Sequence, residues 1–436
     1  MNEQHDRRLR CFGHIINLIS KAILLGENVS SFEEALQNAG DDKQFELWAK
    51  KGPLGRAHNF VVFVNRSGLR LELFRSLQEK QFNKYGNAVL FYNLVADGGV
   101  RWNATYLMIQ RLNKLEDTVD LFVKRIRDQD ESLPSNKRSG FGEKHEIRRE
   151  DWKALRDIEI LLLPLYQLTL HLEGYAQQGC GGTIAEVLPC LTLLYQLLRT
   201  KDREVNNPAF PDLLNPDTEH GYQIGVKLGL TKCKEYPDIC RQIPTYCMAA
   251  VLDPLKLAYF FEVWHTKLAE PEWNKELKAT GTRFWETFKT TQPSIPLPPE
   301  MADPIEENML LAHILPKKKP RGDEYITYVQ RDRLADKDVN LFEWWTEKQT
   351  TSPTLSRLAF NLLSAPAMSA ECERVFSSTK KMITPERNHL KADVIEAQEC
   401  LKSWIKHGIT DITAADCLLL NYKEGNRLFN EVSILN

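Results

Sequence analysis

No stretch of this 436-residue chain approaches 18 consecutive apolar residues. The longest oily segment, 158–168, is amphipathic, so a membrane span is not expected. No apolar h-region follows the opening Met-Asn-Glu-Gln-His-Asp-Arg-Arg, which sets a secretory signal aside. A large charge imbalance is also lacking. Fifty-seven Lys and Arg stand against 59 Asp and Glu, a net charge of −2, so any pull toward nucleic acid must come from local basic patches. Cysteine is sparse, and its odd count of 9 at irregular spacing fits thiols in a reducing compartment rather than a disulfide framework. Internal repeats and low-complexity tracts are missing too.

What is present is helical periodicity on a chain too long for one small core, which suggests two or three packed units. Residues 11–25 place Ile15, Leu18, Ile19 and Ile23 on one face, and residues 61–77 repeat the pattern through Val61, Val64, Leu69, Leu73 and Leu77. Segments 152–172 and 184–198 read as buried helices. The best strand candidate is 87–96, with Val89, Leu90, Phe91 and Tyr92, although a short apolar run does not separate strand from helix. Three stretches read as connections: 128–150, 202–220 and 290–321, the last with seven prolines that remove backbone donors.

Toward the C-terminus, Ser369 suits an N-cap for a helix over 370–381, with Glu371 and Glu373 in its first turns. A later helix carries Val394, Ala397, Leu401 and Trp404 at 3-4-3 spacing, with Ile405 beside them. It closes at Lys406-His407-Gly408. Such a seam buries against another helix, in the chain or across a dimer.

The run Leu362-Leu-Ser-Ala-Pro-Ala-Met-Ser-Ala-Glu-Cys-Glu-Arg-Val-Phe-Ser377, with Arg387, Leu390 and Leu401-Lys-Ser-Trp404, resembles the C-terminal dimerisation region of the hAT superfamily of DNA transposases, the fungal-type members most of all. Asn340-Leu-Phe-Glu-Trp-Trp345 and 355–359 fit the same block. Lys380 stands where the family usually has glycine, and Ser352-Pro353 replaces a common Tyr-Pro. Cys11-Phe-Gly-His14 resembles the family's Cys/Ser-x-x-His segment, and Arg101-Trp102 its Arg-Trp motif. Residues 151–288 resemble its helical insertion, with Val251-Leu-Asp-Pro254 as a marker near the end; Asp253 there reads as a turn cap.

The resemblance implies an RNase H-like catalytic core, left incomplete and with little β-structure, in a mainly α-helical chain. It implies a partial core segment over 1–127, a helical insertion over 128–290, a proline-rich linker over 291–325, the dimerisation region over 326–410 and a tail over 411–436. Glu373 falls at the third position of the family's Asp-Asp-Glu triad, whose carboxylates hold two Mg²⁺ ions. Its plain alternative is an acid that stabilises a helix N-terminus. Cys11, His14, Arg101 and Trp102 would handle a base turned out of the duplex. Alternatively, Cys11, His14 and Trp102 are packed core residues, and one Cys-x-x-His pair is only half a zinc site. Lys50, Lys51, Arg66 and Arg70 belong to a basic stretch, 48–84, that reads as a phosphate-contacting surface or as a solvated charged face. Lys317-Lys-Lys-Pro-Arg321 offers a nuclear import signal or a solvated loop.

In the family both catalytic aspartates precede the Cys-x-x-His helix. They are therefore not expected within these 436 residues, nor is the family's N-terminal zinc finger, and the chain by itself would bind no Mg²⁺ cofactor. The expectation is a nuclear, self-associating protein that contacts DNA, acts on no small-molecule substrate and does not cut. The alternatives are a fragment of an active transposase with a mis-called start, and a helical scaffold for protein contacts.

Overall fold

The structure is a computed structural model that describes residues 9–84, 91–97, 102–173, 182–206, 216–257, 271–291, 322–331, 339–370, 375–376, 379 and 391–406. It is mainly helical. Among the described residues no strand forms, and one isolated antiparallel bridge joins Thr183 to Pro366. The helices are α1 (Phe12–Leu25), α2 (Val29–Gln37), α3 (Asp41–Ala49), α4 (Gly52–Asn65), α5 (Gly68–Lys84), α6 (Trp102–Lys114), α7 (Glu116–Glu131) and α8 (Arg149–Leu172). They continue as α9 (Val187–Val205), α10 (Pro216–Arg241), α11 (Pro244–Val251), α12 (Pro271–Thr291), α13 (Glu324–Val329), α14 (Leu341–Lys348), α15 (Pro353–Leu363) and α16 (Ala392–Lys406). The chain divides into two compact units, 1–368 and 369–436.

Within the first unit, the apolar stripes of α4, α6, α7 and α8 close one core. Phe60, Phe74 and Phe122 form a ring of edge-on aromatic contacts with centroids 5.7–6.3 Å apart. Two polar devices orient α8 on that core. Its first turn carries a capping box in which the Asp151 carboxylate accepts from the Arg148 N–H at 2.8 Å. The same fully buried carboxylate takes a two-point pairing from Arg56 of α4, whose Nε donates at 2.7 Å.

α1 and α10 approach closely because glycine permits it. A Cβ on Gly225 would sit 2.5 Å from the Ile23 carbonyl oxygen, and one on Gly229 would sit 2.5 Å from the Ile23 side chain. The 21 residues of α12 follow, with Trp285 buried and its indole N–H shared between both carboxylate oxygens of Asp323, the N-cap of α13.

Two expectations change. The stripe over 61–77 is not one helix: α4 ends at Asn65 and α5 restarts at Gly68. The break is polar and is closed by the Arg70 guanidinium donating to the Phe63 carbonyl at 3.0 Å, while Leu69, counted in the stripe, is 81% exposed. The strand expected over 87–96 does not form in 91–97. The buried Gln78 side-chain amide of α5 accepts from the Tyr92 N–H and donates to its carbonyl, both at 3.0 Å. One side chain thus gives this backbone the two-point pairing that a neighbouring strand would otherwise supply. The other part of that segment lies outside the described residues, as do most of the helix expected over 370–381 and the proline-rich connection from 292 onward.

Candidate functional site

The family-like sequence 362–368 is the junction of the first unit. After α15 ends, the Ala365 carbonyl accepts from the Ile184 N–H at 3.0 Å and the Ala367 N–H donates to Gly182 at 2.8 Å. The Ala367 carbonyl accepts from the Phe12 N–H at 2.9 Å, capping the orphan donors at the start of α1. Gly13 leaves room for Met368, whose terminal methyl would lie 2.3 Å from a Cβ at that position. Just upstream, the buried Tyr246 hydroxyl of α11 accepts from the Arg10 N–H at 2.7 Å and donates to the Arg10 carbonyl at 3.0 Å. Residues some 350 apart in sequence therefore fix the Cys11–His14 turn. Cys11 is half-buried and His14 is exposed.

Beside this junction lies a charged cluster. Lys256 Nζ bridges Glu186 Oε1 at 2.9 Å and Asp253 Oδ2 at 2.5 Å, and His171 Nε2 stands 3.1 Å from Glu186 Oε1. The other Glu186 oxygen accepts the Gly182 N–H at 2.7 Å. Burial works to raise the Glu186 carboxyl, but the hydrogen bond from His171 and the Lys256 charge outweigh it and hold it at about 2. Burial likewise works to lower the Lys256 ammonium, and Asp253 and Glu186 together raise it instead. The Glu186 hydrogen bond raises the His171 imidazole. Asp253 Oδ1 also accepts from the N–H groups of Leu255 at 2.9 Å and Lys256 at 3.3 Å, the turn-capping role read from sequence. This cluster ties 182–186 to 253–256 and so holds the junction. Glu186, Lys256 and His171 escaped the sequence reading because their spacing along the chain carries no pattern.

The other candidate residues are dispersed. Trp102 opens α6 and is 5% exposed, in a helix that packs on α1, α4 and α8. Arg101 and Glu373 lie outside the described residues. In the basic stretch, Lys50 is exposed. Lys51 donates to the Leu25 carbonyl at 2.5 Å and lies 4.5 Å above the Phe32 ring, with burial lowering its ammonium. Arg66 pairs with Asp41 at 3.1 Å and lies over Phe45. Arg70 stacks on Phe63 at 3.6 Å and donates to the Ser139 carbonyl. Among the described residues no group of three or more His, Cys, Asp or Glu is disposed to hold a metal ion.

In the second unit, α16 bears the 3-4-3 seam. Val394 and Trp404 are each 46% exposed, Ile405 is 38% exposed, Ala397 is exposed and Leu401 half-buried. Val375 and Phe376, upstream, are exposed as well.

Comparison with known proteins finds two matching regions, the second of which runs across the boundary between the two units. Residues 9–158 match the ZBED1 RNase-like helical domain, and residues 324–405 match the hAT family C-terminal dimerisation region. This is a mainly helical protein that carries a dimerisation region. A Talaromyces stipitatus protein with the provisional name transcriptional regulator tpeD is 24% identical over 88% of this chain and 40% of its own length. The zinc finger BED domain-containing protein DAYSLEEPER of Arabidopsis thaliana is 21% identical over 74% of this chain and 42% of its own. A Zea mays protein provisionally named AC transposase is 27% identical over 66 residues, 15% of this chain and 8% of its own. The chain is thus a relative of the hAT transposases, and it spans less than half the length of these proteins. No described helix is long and apolar enough to cross a membrane.

Proposed function

We propose that this chain is a self-associating, DNA-contacting protein of hAT transposase descent that acts in the nucleus. The observation that carries self-association is the match of 324–405 to the dimerisation region, together with an α16 seam whose Val394 and Trp404 are half-exposed. A seam of Val, Leu and Trp at 3-4-3 spacing loses its contact with water when a second helix packs on it. The first unit is the helical part that surrounds an RNase H-like core in this reading. It presents the Cys11–His14 turn and the exposed Lys50 to DNA, with Arg101 in the base-handling role that the resemblance implies, while the buried Trp102 packs the helix behind it.

The Mg²⁺ ions of the family need three carboxylates. The resemblance assigns one here, Glu373, and one carboxylate does not hold two ions in a cutting geometry. The proposed role therefore contains no strand cleavage by these residues alone. The purified chain should run as a dimer by light scattering and bind duplex DNA with a steep dependence on salt. Metal-dependent nicking of DNA by the chain alone would overturn the non-cutting part. A single-subunit mass at micromolar concentration would overturn self-association.

The partial coverage of the relatives favours a second reading, in which these residues are the helical and dimerising portion of a larger active transposase. Genomic sequence upstream of Met1 encoding an Asp-bearing strand and a zinc finger would select it.

A further inference from the structure

Between α12, α13 and α14 the first unit holds a cavity of about 770 Å³ whose walls are aromatic and whose charged groups are Lys289, Arg331 and Lys348 with the carboxylates of Asp323 and Glu324. Trp285, Tyr328 and Trp345 form its buried sides. Each has its polar atom committed elsewhere: Trp285 to Asp323, the Tyr328 hydroxyl to the Val251 carbonyl at 2.9 Å, and Trp345 to the Leu252 carbonyl at 3.0 Å. These bonds fix the walls before any ligand arrives.

Trp344 is the more open ring. The Arg331 guanidinium lies 4.4 Å from its centroid and 4.8 Å from that of Tyr328, and Lys348 Nζ is 5.4 Å from the Trp344 centroid. Two cations thus converge on one indole. Arg331 donates through Nη2 to the Pro254 carbonyl at 3.0 Å, while its buried Nε has no hydrogen-bond partner among the described residues. Lys289, at the same cavity, is neutralised by Asp323 at 2.8 Å and Glu286 at 2.9 Å, and Glu324 is engaged by the Leu355 N–H at 2.7 Å. Arg331 and Lys348 are left as the cationic pair, set against aromatic planes.

We propose that this cavity binds a nucleotide, with its phosphate held by Arg331 and Lys348 and its base packed against the aromatic wall at Trp344. The volume lies within the range of pockets that enclose molecules of this size. A stacked guanidinium is held flat with its N–H edge outward, the arrangement that suits a phosphate oxygen. Base-on-aromatic stacking tolerates any base, so the site is expected to show little sequence preference. An acidic peptide would satisfy the two cations but would make no use of the aromatic wall. The nucleotide could be free or part of a single strand, and the site is independent of the Cys11–His14 surface proposed to meet DNA.

Calorimetric titration of the full chain with dAMP, deoxyadenosine, inorganic phosphate, a ten-residue oligo(dT) and a tetraglutamate peptide tests the assignment. Binding of dAMP should exceed that of deoxyadenosine and of phosphate by about tenfold each, because each lacks one of the two recognised parts. Tighter binding of the oligonucleotide than of dAMP assigns the source to a strand; equal binding assigns it to a free nucleotide. Lys348→Gln, at a half-exposed position, should weaken dAMP about tenfold with an unchanged circular dichroism spectrum. Trp344→Leu should weaken dAMP but not phosphate. No dAMP binding, dAMP no better than phosphate, or dAMP binding untouched by both variants overturns the proposal. Tetraglutamate outcompeting dAMP would replace it with a peptide site. Duplex binding through the Lys50 surface is expected to persist in both variants, so loss of nucleotide binding and loss of DNA contact are told apart.

Discussion

Two amphipathic helices of this chain carry nearly the same apolar spacing and meet opposite fates. In α7, Val119, Phe122, Val123 and Ile126 are at most 8% exposed, sealed by α5, α6 and, through Phe60 on Phe122, α4. In α16, Val394, Ala397, Leu401 and Trp404 recur at comparable intervals, yet Val394 and Trp404 are each 46% exposed, Ala397 is exposed and Leu401 is only half-buried. Periodicity therefore specifies a helix and the face that wants cover, but not what covers it. The first unit finishes its core within the chain. The proposed role of the second is to finish its own against another copy.

The largest effect is expected where the first unit has buried charge to complete its packing. Asp151 is fully buried and meets both Arg56 and the α8 N-terminus. Asp151→Ala removes one partner of a buried pair and strands the guanidinium, which should cost about 3–5 kcal/mol in a denaturant titration. A loss under about 1 kcal/mol would mean that water reaches Arg56 and that this core is looser than its geometry. Next comes the α1–α10 contact. Gly225→Val forces a side chain against the Ile23 backbone and should cost about 1–3 kcal/mol. Gly229→Ala meets only the Ile23 side chain, which can rotate, and should cost less. Equal losses would show that the two helices part as rigid bodies.

Helices were legible in the sequence wherever an apolar stripe ran to a cap: α1 starts one residue after Cys11, and α16 covers the expected seam. The break between α4 and α5 was hidden because Leu69 kept the period while pointing to solvent. The segment 91–97 read as a strand because its apolar run looks like one, yet its backbone pairs with the amide of Gln78, which periodicity does not register. The junction was half-legible. The motif residues 362–368 and Asp253 were visible, whereas Glu186, Lys256 and His171 are brought together only by tertiary packing. Reading the basic stretch as a phosphate-contacting surface left out packing, because Lys51 and Arg70 donate to backbone carbonyls and lie on Phe32 and Phe63.

A smaller effect should appear in the pH dependence of the packed unit. Burial pushes the His145 imidazole, enclosed by Phe45, Phe63 and Phe141, down to about 4. The folded value lies below the unfolded one, so its contribution is fully present above about 6.5 and is lost as pH falls toward 4. His171 has the opposite sign. Its hydrogen bond to Glu186 raises it, so that contribution is present below about 6.5 and fades as pH rises through the folded value. Equilibrium unfolding followed from pH 7 to pH 4 should lose part of its slope in His145→Gln and keep it in His171→Gln. If His145→Gln leaves the slope unchanged, the Phe45–Phe63–Phe141 cage admits water.

The smallest effect on fold stability, and the sharpest on assembly, is expected from Leu401→Asp. Leu401 is half-buried at the centre of the α16 seam, between Ala397 and Trp404. A carboxylate there keeps its hydration only if the seam stays open, so it opposes a partner helix at the desolvation cost of a charge. Light scattering should fall from the mass of two chains to that of one, with an unchanged far-UV circular dichroism spectrum and an unfolding midpoint equal to that of the wild-type chain diluted until it is a monomer. A midpoint below that of the diluted wild-type chain would place Leu401 in the chain's own core and make α16 a second α7. An unchanged mass with an unchanged midpoint would leave the seam covering nothing, and self-association would then have to be sought on another surface of residues 324–405.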